Sequence, residues 1–213
     1  MASDWISAFI SAASGLSGVW LGSWLTNRRE ESREKTRLKT EAVYAAILVV
    51  SHLDRLIDNC LELAWDDGTI EGRPSGSDGY THEATVDPPK FCPIELDVQW
   101  KCFPHDLMYM ILNLPYKLEM LEKRVQESFE FSYDMPEYTD SFWTRRSGYA
   151  ELGLEVSEIA FQLRRNAGLP INSTTRGGMS REEQLRTQKA EVEQARATYL
   201  KRVNETLAGK SCV

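Results

Sequence analysis

The residues best suited to bind a metal lie in one stretch of the chain. The sequence holds three histidines and four cysteines. Cys102 and His105 are separated by two residues, and His82 and Cys92 lie upstream, so these four side chains are candidate zinc ligands. The paired cysteines of structural zinc sites are missing, however. We therefore expect a loop whose cysteines pack against the domain, with no metal and no cofactor.

Other patterns that are typical of enzymes are incomplete. Arg165-Asn166 lacks the histidine that a helical nuclease of the Arg and His type needs on the same helix. Gly177-Gly178 precedes a helix without the Lys-Ser/Thr pair of a phosphate loop, and no serine or cysteine lies in a nucleophile elbow. Asp66-Asp67 is interpreted as a solvated helix end rather than as a base. We predict no catalytic residue and no enzyme, with an unfamiliar active site as the alternative.

Aromatic and acidic residues alternate between residues 129 and 143. Aromatic side chains dominate the binding energy of protein interfaces, so this segment is a candidate for docking a basic protein partner. The alternative is a satellite cluster that seals one end of a helical bundle. The candidate docking residues are Phe129, Phe131, Tyr133, Tyr138, Phe142 and Trp143.

The overall charge argues against nucleic acid as a partner. The formal net charge is −7 and the sequence pI is about 5.1. Phosphate neutralisation by basic residues supplies most non-specific affinity for nucleic acid, and this chain has no concentrated basic face. The spacing of the cysteines matches no disulfide framework, and free thiols suit a reducing compartment.

The N-terminal segment has the length and composition of a membrane span. Residues Trp5 to Leu25 include 21 consecutive positions without a charge. At about 1.5 Å per residue this segment is about 31 Å long, close to the hydrocarbon thickness of a bilayer. Only Asp4 precedes it, whereas basic residues follow from Arg28 to Lys39, which places the N-terminus outside and the C-terminus in the cytoplasm. An amphipathic helix lying in the interface is the alternative, but its polar face lacks Lys and Arg.

Small residues recur along one face of this segment, at spacings of 4, 4, 3 and 4. Lipid gives no hydrophobic drive for helix pairing, so association depends on close backbone approach and hydroxyl hydrogen bonds. This face therefore predicts a homo-oligomer. A lone anchor and a ring of helices with a water-lined serine face are the alternatives. The predicted oligomerisation face consists of Ser7, Ser11, Gly15, Gly18 and Gly22.

The rest of the chain is predicted to be all-α. Three units follow from the pattern: a transmembrane segment over 1–26, a charged helical stalk over 27–41, and a cytoplasmic helical bundle over 42–213. The stretch 26–65 has neither Pro nor Gly, so the membrane helix should continue into the bundle. One long irregular loop, 66–103, is rich in Gly and Pro, and its alternating residues 94–100 predict a half-buried extended segment.

The remaining helices have clear start and stop signals. A second helix should begin near Pro104 and bend at Pro115, whose ring displaces a backbone carbonyl. A third should run over 139–167 and stop at Gly168. A fourth should open at Ser180 with Glu183 in a capping box.

Two stretches within these helices resemble known sequences. The sequences from Leu107-Met108-Tyr109 to Leu121, and from Tyr149-Ala150-Glu151-Leu152-Gly153-Leu154 through Gly168-Leu169-Pro170, are similar to those of a group of uncharacterised bacterial membrane-anchored helical-bundle proteins. The resemblance covers about a third of the chain. It implies a bacterial or prophage source and no activity. Together with the topology predicted from the N-terminal segment, a bacterial source predicts a single-pass protein of the inner membrane.

Together these features predict a membrane-tethered interaction or regulatory module. It would contact membrane lipid, self-associate through its transmembrane helix, and recognise a protein partner or a small ligand on the cytoplasmic side. The alternative is an oligomeric membrane effector that permeabilises the bilayer in a bacterial defence or toxin system.

Overall fold

The computed structural model describes the backbone of residues 2–171, 175–176 and 178–210. The described side chains are those of residues 28, 30, 33–171 and 178–205. The all-α prediction is confirmed. The helices are α1 (Ala2–Trp65), α2 (His105–Leu112), α3 (Leu114–Glu130), α4 (Thr139–Ala167) and α5 (Arg181–Lys210). Two short antiparallel hairpins accompany them, formed by β1 (Thr69–Ile70) with β2 (Arg73–Pro74) and by β3 (Thr175–Arg176) with β4 (Met179–Ser180).

The core forms around α1 and α4. The last third of α1, from Ala45 to Ala64, contributes most of its apolar side chains to one buried cluster. Gly153 allows the helices to approach closely, because a Cβ atom there would lie 3.0 Å from the Cβ of Cys60. Helices α2, α3 and α5 pack around this pair. Upstream of the core, residues 33–40 of α1 are helical and exposed, as expected for a charged stalk.

The predicted helix boundaries are confirmed where a local signal marks them. Pro115 lies in the first turn of α3, and the predicted bend is a break between α2 and α3. Gly168 ends α4 with φ +67°, and the N–H of Leu169 donates to the carbonyl of Arg164 over 2.9 Å. At α5, the Ser180 N–H donates to Glu183 over 2.7 Å and the Glu183 N–H donates to the Ser180 hydroxyl over 3.2 Å.

The long loop differs from its predicted conformation. Instead of one extended segment, it forms 3₁₀ turns at Pro93–Glu95 and Trp100–Cys102, and Ile94 is exposed. Pro93 favours this turn because its ring fixes φ near the helical value. Leu96, Val98 and Trp100 still pack against the core, so the predicted contact of this stretch with the bundle holds.

The predicted membrane segment, 1–26, and its oligomerisation face, Ser7, Ser11, Gly15, Gly18 and Gly22, lie outside the described side chains. Among the residues that the structure describes, no helix is long and apolar enough to cross a bilayer. The transmembrane assignment stays a prediction.

Candidate functional site

The six candidate docking residues separate into an interior group and a surface group. The ring of Phe129 lies edge-on to that of Phe142, with centroids 5.1 Å apart, and 5.6 Å from that of Tyr138. Phe142 is buried. Its assignment to a docking surface is therefore wrong, because its ring seals the end of the bundle and a partner does not reach it.

The surface group is smaller than predicted. Phe131 and Tyr133 are 67% and 101% exposed, so docking through these two side chains stays a prediction. Trp143 packs on α5, where its ring centroid lies 5.6 Å from that of Tyr199. Phe131 and Tyr133 are exposed because they lie in the connection between α3 and α4. Trp143 lies on α4, and the packing of α4 against α5 covers one side of its ring.

The candidate zinc ligands do not form a site in the part of the chain that the structure describes. Cys92 is exposed and Cys102 is half-buried. Within the described residues, no group of three or more His, Cys, Asp or Glu side chains lies close enough to hold a metal ion.

Asp66 is the centre of a buried polar cluster, so its interpretation as a solvated helix end is wrong. It forms an ion pair with Arg145 of α4, whose side chain is only 3% exposed. Its Oδ1 accepts from the Gly68 N–H over 3.1 Å and from the Thr85 hydroxyl over 2.8 Å. Its Oδ2 accepts from the N–H groups of Thr85 over 3.0 Å and Val86 over 3.1 Å. One carboxylate thus joins the end of α1, the long loop and α4.

Arg145 completes this cluster by donating to the carbonyl of Val86 as well. The sequence contained a signal for its burial, because Arg145 lies four residues before Tyr149 and so extends the inward face of α4. The adjacent Arg146 donates to the Ala64 carbonyl over 3.0 Å and to the buried Gln188 over 2.9 Å. Two consecutive arginines therefore connect α4 to α1, the loop and α5.

The surroundings of Asp66 shift its pKa. Burial by itself raises the pKa of this carboxyl, but the hydrogen bond from Thr85 and the charge of Arg145 outweigh burial and hold its pKa below the ordinary value of 3.8. Since the unfolded chain then binds the proton more tightly, Asp66 stabilises the fold fully above that value. This stabilisation is lost as the pH falls through the lowered pKa of the folded state.

A cavity of about 840 Å³ opens beside this cluster, between the end of α1, the long loop and the start of α5. We call it the acidic cleft. Helix α1 presents Asp58, Leu61, Glu62 and Trp65 to it, at the spacing of one helical face. The full lining is Asp58, Leu61, Glu62, Trp65, Asp66, Asp67, Thr69, Thr85, Val86, Arg181 and Gln184.

The charges of the acidic cleft favour a cation. The described lining holds four carboxylates and one arginine, Arg181, whose Nε lies 2.7 Å from Oδ1 of Asp58. Asp66 is paired with Arg145, so Glu62 and Asp67 are the two of these carboxylates without an ion-pair partner among the described side chains. Desolvation raises the pKa of Asp58, against the opposing effect of Arg181, and the charges of Asp54 and Glu62 add to the rise. Trp65 is 54% exposed at the cleft. Carboxylates beside an indole ring provide both ion pairing and cation–π contact for an ammonium or guanidinium group.

The sequence contains only part of the information that would predict this cleft. The 58, 61, 62, 65 spacing on α1 is visible in the sequence, whereas the approach of Thr69, Thr85 and Val86 depends on how the loop folds back. No protein family, curated protein or solved structure matches this chain. The resemblance to bacterial membrane-anchored proteins therefore stays a prediction.

Proposed function

We propose that the protein is a membrane-tethered interaction module whose acidic cleft binds a cationic side chain of a protein partner. The observation that supports this most directly is the continuity of α1. A single helix, Ala2–Trp65, carries the uncharged segment near its N-terminus and one wall of the acidic cleft at its C-terminus. The same helix would therefore anchor the protein and present the binding site.

The length of α1 sets the distance between these two features. Leu25 and Asp58 are 33 residues apart, which corresponds to about 50 Å of helix. The exposed residues 33–40 lie within this interval, before the buried part of α1, and carry both signs of charge. A stalk of this kind holds the cleft away from the head groups, where a cytoplasmic partner has room to dock.

Membrane tethering is tested with a pair of charged substitutions. Leu16→Arg with Val19→Arg should release a large part of the protein from the membrane pellet after an alkaline wash, since each Arg at mid-membrane costs about 2.5–3.5 kcal/mol. Leu38→Arg with Tyr44→Arg is the matched control, because both side chains are exposed on the same helix. The control and the unmodified protein should stay in the pellet. Release of the unmodified protein would contradict the anchor.

The cleft is tested with a matched pair of small probes. N-acetyl-arginine amide should shift the indole N–H resonance of Trp65, which Trp65→Phe identifies, whereas the neutral isostere N-acetyl-citrulline amide should not. Glu62→Gln should weaken the arginine probe by roughly fivefold, the size of a partly exposed charge pair. Glu95→Gln, an exposed loop position outside the cleft, should change nothing. Equal shifts from both probes would show that charge is not recognised.

Self-association is the part of the proposal that depends on the N-terminal segment. The spacing of Ser7, Ser11, Gly15, Gly18 and Gly22 supports it, because small residues allow the close backbone approach that membrane helices need. The permeabilising alternative uses the same face. Membrane tethering and binding at the acidic cleft are the same whether this face serves self-association alone or also permeabilises the bilayer.

A further inference from the structure

A second cavity, of about 350 Å³, lies between α1, α4 and α5. We call it the inner pocket. Its apolar walls come from Ile57, Leu154, Phe161 and Ile171. Arg181 lines both this pocket and the acidic cleft. A volume of this size suits a small molecule rather than a protein segment.

Ser157 of α4 lines the inner pocket and is only 7% exposed. Its Oγ is buried without a hydrogen-bond partner anywhere in the described part of the chain. Buried hydroxyl groups in folded proteins nearly always have a partner. An unpaired hydroxyl in the lining of a cavity therefore points to a bound molecule that supplies one.

Among the described side chains, the charged residues that line the pocket are balanced in number. Three arginines, Arg164, Arg181 and Arg186, face three carboxylates, Asp54, Glu158 and Glu182. Some of these charges neutralise each other within the protein. Arg164 lies 2.6 Å from Asp54, and Arg181 lies 3.5 Å from Asp54 while also binding Asp58.

The remaining charges have opposite signs. Among the described side chains, Arg186 has no ion-pair partner, and neither Glu158 nor Glu182 pairs with a base. Oε1 of Glu158 accepts a hydrogen bond from Gln162 over 2.8 Å, which orients this carboxylate without neutralising it. The pocket thus offers a guanidinium for an anion and carboxylates for a cation, around apolar walls.

We propose that the inner pocket binds a small zwitterion with an apolar side chain, the chemistry of an apolar α-amino acid. Arg186 would bind the carboxylate and Glu158 or Glu182 the ammonium group. The side chain would cover Ile57, Leu154 and Phe161, and Ser157 would gain its missing hydrogen bond. This site is distinct from the acidic cleft, so the proposal does not rest on the function proposed for that cleft.

The test uses three probes that differ by one charged group. Full-length protein in mild detergent is titrated calorimetrically with leucine, with 4-methylpentanoate, which lacks the amine, and with 3-methylbutylamine, which lacks the carboxylate. Leucine should bind, and each singly charged analogue should bind more weakly by about tenfold, the loss of one charged contact. Failure of leucine to bind, or equal binding of either analogue, would overturn the proposal.

Substitutions then assign the contacts. Arg186→Gln and Glu158→Gln should each weaken leucine binding by about tenfold. Ser157→Ala should weaken it by roughly threefold without lowering the midpoint of urea unfolding, because the described part of the protein gives this hydroxyl no bond to lose. Arg165→Gln, an exposed arginine on α4 outside the pocket, is the control and should leave binding unchanged. Unchanged affinity in Arg186→Gln and Ser157→Ala would place the binding site elsewhere and overturn the assignment.

Discussion

Asp66→Ala should lower the free energy of unfolding of the full-length protein by about 3–5 kcal/mol, as measured by urea denaturation in mild detergent. The substitution removes the counter-ion of Arg145, which is 3% exposed, and leaves a guanidinium buried without its partner. It also removes the acceptor for the N–H groups of Gly68, Thr85 and Val86. The loop should detach from the bundle as a result, and residues 66–103 should become sensitive to protease.

Two further variants separate the charge effect from a general effect of substitution. Asp87→Ala removes an exposed aspartate from the same loop and should change stability by less than about 0.5 kcal/mol. Asp66→Leu combined with Arg145→Met removes both charges and should cost less than Asp66→Ala alone, since no buried charge is left unpaired. A double variant as unstable as the single one would show that the ion pair is not the cause.

Asp66 also predicts how the free energy of unfolding changes in acid. The pKa of Asp66 is held below 3.8 in the folded state, so its contribution is present above that value and disappears as the pH falls further. Unfolding of the unmodified protein should therefore become easier over that acid range. In Asp66→Ala this part of the dependence should be missing, which a series of denaturation curves at decreasing pH measures directly.

Gly68→Ala should cost about 2–4 kcal/mol of unfolding free energy, the sum of backbone strain and overpacking. Gly68 has φ +76°, and a Cβ atom there would lie 2.3 Å from Cζ of Phe142 and 3.0 Å from Cβ of His82. Phe142 is itself buried against Phe129. Because the Phe142 ring is buried and packed, we expect the backbone of the loop to move instead.

Gly72→Ala is a closely matched control for this substitution. Gly72 has the same φ of +76°, but no atom of the described residues lies within 4 Å of the position that a Cβ atom would take. Its cost should be limited to the backbone term, about 1–2 kcal/mol. The difference between the two variants measures the steric contact with Phe142. Equal costs would mean that the aromatic cluster yields easily and does not hold the loop.

The sequence determined the helical elements because their limits are set by neighbouring residues. Pro115 has no backbone N–H to donate, so α2 ends before it and α3 begins with Pro115 in its first turn. Gly168 takes up the left-handed conformation that ends α4, and Ser180 and Glu183 exchange hydrogen bonds within one turn. Each of these signals acts over a few residues, so each is readable without knowing where the rest of the chain lies.

In the aromatic segment 129–143, the local sequence does not predict which side chains are buried. Its composition is the same whether a ring points to solvent or into the bundle. Phe131 and Tyr133 are exposed, whereas Phe142 is buried only because α4 brings it against Phe129 and the loop. Alternation of aromatic and acidic residues cannot distinguish these outcomes, since burial depends on which helix packs against which face.

The tertiary structure alone decided the polar cluster and both cavities. Asp66 and Arg145 are 79 residues apart in the chain, and only the packing of α4 against the end of α1 brings them together. The acidic cleft likewise needs the loop to fold back on α1, and the inner pocket needs three helices to meet around Ser157. Helix limits follow from hydrogen bonds between near neighbours, whereas ion pairs and cavities depend on side chains that only the packed fold brings close.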